Sequence, residues 1–292
     1  MIPKLVEIYC LVENLTRKID CHIKKNKVGR KSKLSRAEFI TIAVIKQVLG
    51  IKTNKVLYNL IKGYSKNIFG ILPSYQQFCI GLESNLLYLA LINYVLAEIN
   101  KQKKGNFFIV DSTSIPICRN AYRSRSKLAK NIAKSGKNMN GWYFGFKLHL
   151  IITNDMDIVS FKFTNGSTSD ISALDSNFVN NISGYLIGDK GYLGKKKAQE
   201  LRANGVKLIT KSRKNMKKVP ISKNILKMLS RRQVVETAFS LLKSKFSLIS
   251  QNARSLNSFF SQALSAIFSY HLHRKTPEYY LDSNVFKVEA IS

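Results

Sequence analysis

Acidic residues are scarce in this chain. Its 292 residues hold 17 Asp and Glu against 48 Lys and Arg, a formal net charge of +31 at pH 7. A surplus of that size cannot be neutralised within the molecule, and the field it leaves is matched most simply by a polyanion, most often a nucleic acid. Lysine-rich coding would give a basic chain without such a partner, and ribosome-associated proteins are equally basic but usually shorter. Cysteine is sparse too: Cys10, Cys21, Cys79 and Cys118 lie far apart, with no Cys-x-x-Cys pair and no histidine cluster beyond Cys21-His22. That spacing argues against a disulfide scaffold or a zinc site. Long apolar runs are missing as well. The longest, Leu86 to Ala97, is too short to span a bilayer and contains Asn93, while Glu7 interrupts any apolar signal core at the start. A cytoplasmic, nucleoid-associated protein with reduced thiols and no membrane partner is expected. The 45% hydrophobic content supplies a core for one large domain or two ordinary ones.

Two regions differ in pattern. Residues 1–103 show helical periodicity almost throughout and read as an all-α domain. Ser35-Arg36-Ala37-Glu38 before the run Phe39 to Leu49 matches a capping box, so a helix is predicted to start there. A turn at Gly50 to Asn54 leads into Lys55 to Lys62, a helix-turn-helix-like spacing that suits either binding of a DNA end or plain packing. Leu82 to Ile99 reads as one buried helix, with a linker at Lys101 to Gly105. Strand patterns then begin, at Asn106 to Asp111, Gly145 to Thr153 and Asp157 to Thr164, the last two joined by a hairpin-like turn. A helix from Ile171, a strand Tyr185 to Asp189, a helix Gly194 to Asn204, a strand Lys207 to Thr210 and helices Ile225 to Phe246 and Ser258 to His273 complete the reading. The order βββαβαβα predicts an α/β fold, a ribonuclease H-like core over 104–275 with its first and fourth strands side by side. A tail is expected over 276–292.

Three acids occupy positions that suit metal-dependent phosphoryl transfer. Asp111 closes the apolar run Phe107 to Val110, Asp189 follows Tyr185 to Gly188, and Glu236 lies in a helical stretch after Arg231-Arg232. Converging carboxylates favour hard divalent cations such as Mg²⁺. Arg232, Glu236 and Lys243 fall at i, i+4 and i+11, one face of a helix.

With those acids stand Asp111-Ser112-Thr113, Gly141-Trp142, Gly145-Phe146-Lys147-Leu148-His149-Leu150, Gly188-Asp189-Lys190-Gly191-Tyr192 and Thr210-Lys211-Ser212-Arg213-Lys214-Asn215-Met216-Lys217. Over residues 105–275 the chain resembles insertion-sequence transposases of the DDE class, most closely the IS982 family. Arg232, Glu236 and Lys243 match the arginine, glutamate and lysine of the signature Y-x2-R-x3-E-x6-K found across related transposases, while Leu229 stands at its tyrosine position. The resemblance implies Asp111, Asp189 and Glu236 as catalytic metal ligands and two Mg²⁺ ions, with Mn²⁺ as a substitute. It further implies cleavage at element ends, strand transfer of the freed 3′-hydroxyls into target DNA, and a homodimer or higher assembly on two DNA ends. Arg232 and Lys243 are then expected to position phosphates.

Two tracts rich in Lys and Arg contain no acid: Arg119 to Lys147, with Arg123, Arg125, Lys127 and Lys147, and Lys211 to Arg232, with Arg213, Lys214 and Lys217. Both are expected to contact DNA phosphates. Gly136 and Asn138 to Gly141 suggest that the first tract is partly loop. Trp142, Tyr143 and Phe144 suit stacking on an extruded base or packing within a strand. Of the other polar residues, Asp155 and Asp157 read as solvated turn residues, Asp170 as the N-cap of the helix after it, and His149, alternating with Leu148 and Leu150, as packed or hydrogen-bonded rather than catalytic. A ribonuclease H-like nuclease without strand transfer would share the acids. A DNA-binding regulator would share the charge but leave the acids idle.

Overall fold

A computed structural model describes residues 2–23, 31–102, 105–210, 229–249 and 253–281. The chain divides into two compact units, Met1–Leu96 with Leu241–Ser292, and Ala97–Ser240.

The first unit is helical. It opens with α1 (Ile2–Asp20), α2 (Arg36–Val48), α3 (Asn54–Ile68), α4 (Tyr75–Ser84) and the beginning of α5 (Leu86–Gln102). The capping box forms as predicted: the Ser35 hydroxyl accepts from the Glu38 amide at 3.2 Å, and the Glu38 carboxylate accepts from the Ser35 amide at 2.6 Å. Gly50 ends the turn after α2 with φ +64, a conformation that costs glycine nothing. Leu57 and Ile61 of α3 then join Phe39, Ile42, Phe78 and Leu82 in the core, which leaves Lys52 and Lys55 outside. A close approach makes this core possible, because a Cβ on Gly81 would stand 2.2 Å from the Phe39 ring. The predicted single helix over 82–99 is broken. Asn85 turns its amide back to the Gly81 carbonyl at 2.7 Å, and this competing bond separates α4 from α5.

The second unit is a six-stranded mixed sheet with helices. Its strands are β1 (Phe107–Arg119), β2 (Lys134–Asn138), β3 (Gly141–Thr153), β4 (Ile158–Asn165), β5 (Gly184–Gly188) and β6 (Val206–Thr210), with α6 (Lys195–Ala203) between the last two and α7 (Gln233–Ser244) after them. The order is β2-β3-β1-β5-β6, with β4 also on β3. β1 runs antiparallel to β3 and parallel to β5, so the first and fourth predicted strands do lie side by side. Phe108, Val110, Ile151, Leu186 and Val206 share one apolar cluster with Tyr192 and Leu201. The end of α5 is held to this unit by Asn100, whose amide donates to the Ile158 carbonyl at 3.0 Å, and by Lys101, which pairs with Glu98 at 2.6 Å and donates to the Asn180 carbonyl at 2.9 Å.

Three expectations for this unit are corrected. The tract from Arg119 to Lys147 is partly loop as expected, but over residues 123–133 and at the tip 139–140, not at Gly136, because Lys134 to Asn138 pairs with β3 from Gly145 back to Gly141. No full helix starts at Ile171: a single 3-10 turn, Ile171–Ala173, is followed by turns in which Asp175 accepts the Phe178 amide at 3.0 Å. Asp157 is buried, although Asp155 is exposed as expected. After α7 the chain returns to the helical unit as α8 (Leu256–Arg274) and α9 (Pro277–Leu281). Within that unit α8 packs on α2 and α4, and α9 on α1.

Candidate active site

Parallel pairing puts the first two acids level. Ile109 is in register with Ile187, and Asp111 and Asp189 each come two residues later. Two residues preserve the face on which a strand side chain points, so both carboxylates leave the sheet from the same side at its carboxyl end. β1 continues past Asp111 beside β3, with Asp111 opposite Leu150. Asp189 instead ends its strand and precedes the 3-10 turn Lys190–Tyr192, with its backbone extended and no capping bond from its side chain. Glu236 comes from α7, whose buried Val235, Ala238, Phe239 and Leu242 recur at helical spacing and leave Glu236 on the other side.

One guanidinium gathers the three acids. Arg232 stands in the turn just before α7, and its Nη1 lies 3.6 Å from Asp189 Oδ1 and 3.9 Å from Asp111 Oδ2. Its Nη2 donates to Glu236 Oε1 at 3.3 Å. Three carboxylates and one guanidinium leave two negative charges; the Arg232 and Asp111 side chains are only 24% and 20% exposed, while those of Asp189 and Glu236 are 50% and 57% exposed. Burial pushes the Asp111 carboxyl up to about 6, against the lowering effects of the Ser112 amide, which donates to Asp111 Oδ1 at 2.8 Å, and of Arg232.

A fourth carboxylate stands behind this group. Asp170 makes no side-chain cap; its Oδ1 accepts from the Ser112 hydroxyl at 2.8 Å and from the Lys147 ammonium at 3.1 Å. Lys147 also donates to the Thr168 carbonyl at 2.9 Å, and its side chain is 18% exposed. Gly191 leaves room for Asp170, because a Cβ there would stand 3.0 Å from Asp170 Oδ2. Asp170 thus touches the neighbour of Asp111 and the loop that carries Asp189. The fully buried Tyr192 belongs to the same loop, and its hydroxyl is held far above the usual range by burial and then by Asp170 and Asp111.

The N-cap reading of Asp170 is therefore replaced by a place beside the site. A sequence signal existed: Asp175, Ser176, Asn177, Asn180 and Asn181 follow it closely and break helical periodicity. No linear pattern, by contrast, shows that one arginine would serve all three acids.

The other singled-out residues are distributed as follows. His149 is buried, with Nε2 2.9 Å from the Thr164 hydroxyl and its ring 6.3 Å from that of Phe178, and burial holds it neutral with a pKa of about 4. Leu229 is 3% exposed, so the position aligned with the signature tyrosine is an apolar anchor. Lys243 lies two helical turns beyond Glu236 in the last turn of α7, and partial burial lowers its pKa. Arg123, Arg125 and Lys127 are exposed in the connection between β1 and β2. Tyr143 and Phe144 pack into the sheet while Trp142 is 61% exposed near the hairpin tip. Arg213, Lys214 and Lys217 lie outside the described residues.

The donor chemistry and charge of the acid group suit divalent cations. Among the described residues, however, no three histidine, cysteine or acidic side chains are close enough to enclose one ion. The acids are bridged by the guanidinium in this form rather than gathered around a shared point.

Comparison with known proteins agrees with this geometry. No curated protein compared with the chain matches it. Among solved structures, a piggyBac transposase, seen by cryo-electron microscopy in a synaptic complex with hairpin DNA, is similar with a TM-score of 0.50. That likeness covers 96% of this chain and 76% of the other at 10% sequence identity, and it is a likeness of fold. It supports the ribonuclease H-like reading of the mixed sheet and its flanking helices. The family of the transposase DDE domain matches residues 101–256, which include β1, β5 and α7 with all three acids. That match spans more than half of the sequence, and the chain belongs to the transposase DDE domain family.

Proposed function

We propose that this transposase is an insertion-sequence enzyme of the IS982 type that cuts DNA at the terminal inverted repeats of its element and joins the freed 3′ ends to target DNA. Asp111, Asp189 and Glu236 are its catalytic carboxylates. The observation that carries this reading is the convergence of acids from two strand ends and one helix on the single guanidinium of Arg232. A group built only for stability would not gather three carboxylates on one guanidinium with Asp111 shielded among them, since charge repulsion, and for Asp111 desolvation, oppose it.

Each residue has a task in this reading. The three carboxylates would hold Mg²⁺ or Mn²⁺. When bound, such ions lower the pKa of the attacking water and stabilise the leaving oxygen of an in-line displacement. Asp111 is kept in place by the Ser112 amide, and Asp170 secures Ser112 with its hydroxyl bond and Lys147 with its ion pair. Arg232 offsets one of the three charges while DNA is absent and takes a phosphate oxygen when it is present. His149, neutral and bonded to Thr164, takes no part in the proton transfers.

Double-stranded DNA is the partner, met by the acid-free tracts with Arg123, Arg125 and Lys127 and with Arg213, Lys214 and Lys217, and by Lys243. The helical region 1–103, with α2 and α3 in helix-turn-helix spacing, binds the DNA end, and 104–275 carries the chemistry. The working form is a homodimer or larger assembly acting on two ends at once, in the cytoplasm at the nucleoid.

The test is incubation of the purified protein with Mg²⁺, a target plasmid and DNA ends taken from the sequence flanking its own gene. Covalently joined products, absent with Asp111→Ala, are expected. Cutting without joining would make it a nuclease, and retarded but uncut DNA would reject the enzymatic reading.

A further inference from the structure

Three glycines bring four pieces of backbone together toward the β2 edge of the sheet. A Cβ on Gly136 would stand 2.3 Å from the Gly166 carbonyl oxygen, one on Gly166 2.5 Å from that of Lys134, and one on Gly145 2.5 Å from that of Ile115. β1, β2, β3 and the loop after β4 are therefore packed backbone to backbone there, which makes a firm floor. Beside it opens a recess of about 450 Å³ whose lining includes Arg123, Lys130, Lys134, Ser135, Phe144 and Ser167. Three cations share this recess with no carboxylate in its lining. Arg123 donates to the Ser135 hydroxyl at 3.4 Å, and that hydroxyl donates to Asn120 Oδ1 at 2.7 Å, so the guanidinium is oriented as well as charged. Like charges held together on a rigid floor call for an anion, and hydroxyls beside them suit phosphate oxygens.

The recess stands at a defined distance from the acids. Phe144 pairs with Cys118 of β1 and Leu150 with Asp111. Phe144, Phe146, Leu148 and Leu150 alternate onto one face of β3, the face that Asp111 shares through its pairing. β1 bulges between Pro116 and Cys118, so the spacing is read on β3, where six residues carry the chain from Leu150 to Phe144, about 20 Å at about 3.3 Å per residue. Along the axis of a DNA duplex that length corresponds to about six nucleotides at about 3.4 Å each.

We propose that this recess binds backbone phosphates of DNA about six nucleotides from the bond cut at Asp111, with paired β1 and β3 as the ruler between the two. The proposal rests on the reading of the acids as a strand-cleavage site. The backbone belongs to the element end or to the target duplex, and the same contact chemistry serves either.

End duplexes carrying one neutral methylphosphonate, moved one nucleotide at a time, test it. Cleavage is expected to fall about tenfold when the neutral linkage lies about five to seven nucleotides from the cut. The double variant Lys130→Ala with Lys134→Ala should cut unmodified DNA about tenfold more slowly and lose that position dependence. Arg202→Ala with Lys207→Ala removes the same charge from α6 and β6, at the opposite edge of the sheet, and should keep it. Interference arising only from modified target duplexes during joining would support the recess with target DNA as its ligand. Interference absent from both duplexes, or unchanged in the Lys130 and Lys134 variant, would overturn the proposal.

A binding measurement separates the proposal from the reading beneath it. The slope of log affinity against log salt should become shallower by about 1.8 in the Lys130 and Lys134 variant, as expected for two lost phosphate contacts, and remain unchanged in the Arg202 and Lys207 variant. Equal slopes in both variants would sink the recess even if the protein cuts DNA. A protein that binds with the expected slopes but never cuts would sink the cleavage reading and leave the phosphate site standing without its ruler.

Discussion

The helical unit and the sheet unit both bury polar side chains, but the helical unit satisfies several of them within a single helix. In the helical unit, Ser265 and Ser269 donate to the carbonyls of Ser261 and Ser265 at 2.7 and 2.8 Å, and Asn93 donates to that of Leu89 at 2.7 Å, each one turn back along its own helix. In the sheet unit, Ser112 reaches Asp170, Asn138 reaches Ser114 and His149 reaches Thr164, all at 2.8 to 2.9 Å across separate strands or loops. A hydroxyl bonded to its own helix reports only that a small polar residue fits the packing there. A side chain that needs a distant partner fixes two pieces of chain relative to each other. The helical unit has such pairs as well, Asn93 with the Leu264 carbonyl and Ser255 with Glu83, but the bond from Ser112 to Asp170 ties the strand that carries Asp111 to the loop beside it, so what a distant contact holds in place separates scaffold from site.

That contrast can be broken by substitution. Glu236→Gln or Asp189→Asn should slow cleavage by more than about a hundredfold, the scale for losing one preorganised charge-stabilising group. Circular dichroism and DNA retardation should remain those of the wild type; loss of binding together with cutting would point to misfolding instead. In the helical unit, Asn93→Leu removes the donor to Leu89 and to the Leu264 carbonyl, which it reaches at 3.0 Å. Chemical denaturation should register about 1 to 3 kcal/mol of lost stability, with the single-turnover rate per folded molecule unchanged. Asp170→Ala should do the reverse, lowering that rate about tenfold, or about 1.4 kcal/mol, with a smaller loss of stability. Partial recovery in Asp170→Asn, which keeps an acceptor for Ser112, would assign the effect to positioning.

The smallest expected effect concerns pH. Burial holds Asp111 at about 6 in the fold against 3.8 for an unperturbed carboxyl. Between those values the folded chain keeps a proton that the unfolded chain has released, so this group lowers stability as pH rises from 3.8 to 6. Asp111→Asn should therefore match the wild type at pH 4 and melt a few degrees higher at pH 7. A variant melting lower at pH 7 than at pH 4, relative to wild type, would show that Arg232 outweighs the cost of burial.

Much of the sheet unit was legible because its signals are apolar. The runs Phe107 to Val110 and Tyr185 to Gly188 mark strands on their own, and the acids at their ends follow. β2 was not legible: Lys134, Ser135, Gly136, Lys137 and Asn138 carry no hydrophobic alternation, because this edge strand is held by backbone pairing to β3. The capping box of α2 could be read because its bonds are local, and the break at Asn85 was missed because Leu82 and Leu86 keep helical spacing across it. Asp170 was misread for a related reason. An aspartate before an apolar stretch is the usual mark of a helix start, while its bonds to Ser112 and Lys147 depend on the strand register.

The central proposal is that Asp111, Asp189 and Glu236, bridged by Arg232 in this form, gather on divalent cations when that guanidinium gives way. Mn²⁺ binding to the DNA-free protein, followed by electron paramagnetic resonance, tests it most directly. The account predicts binding by the wild type, loss of at least about tenfold in affinity in Asp111→Asn and Asp189→Asn, and tighter binding in Arg232→Gln, where the competing guanidinium is gone. Equal Mn²⁺ affinity in the wild type and in both aspartate variants would contradict it.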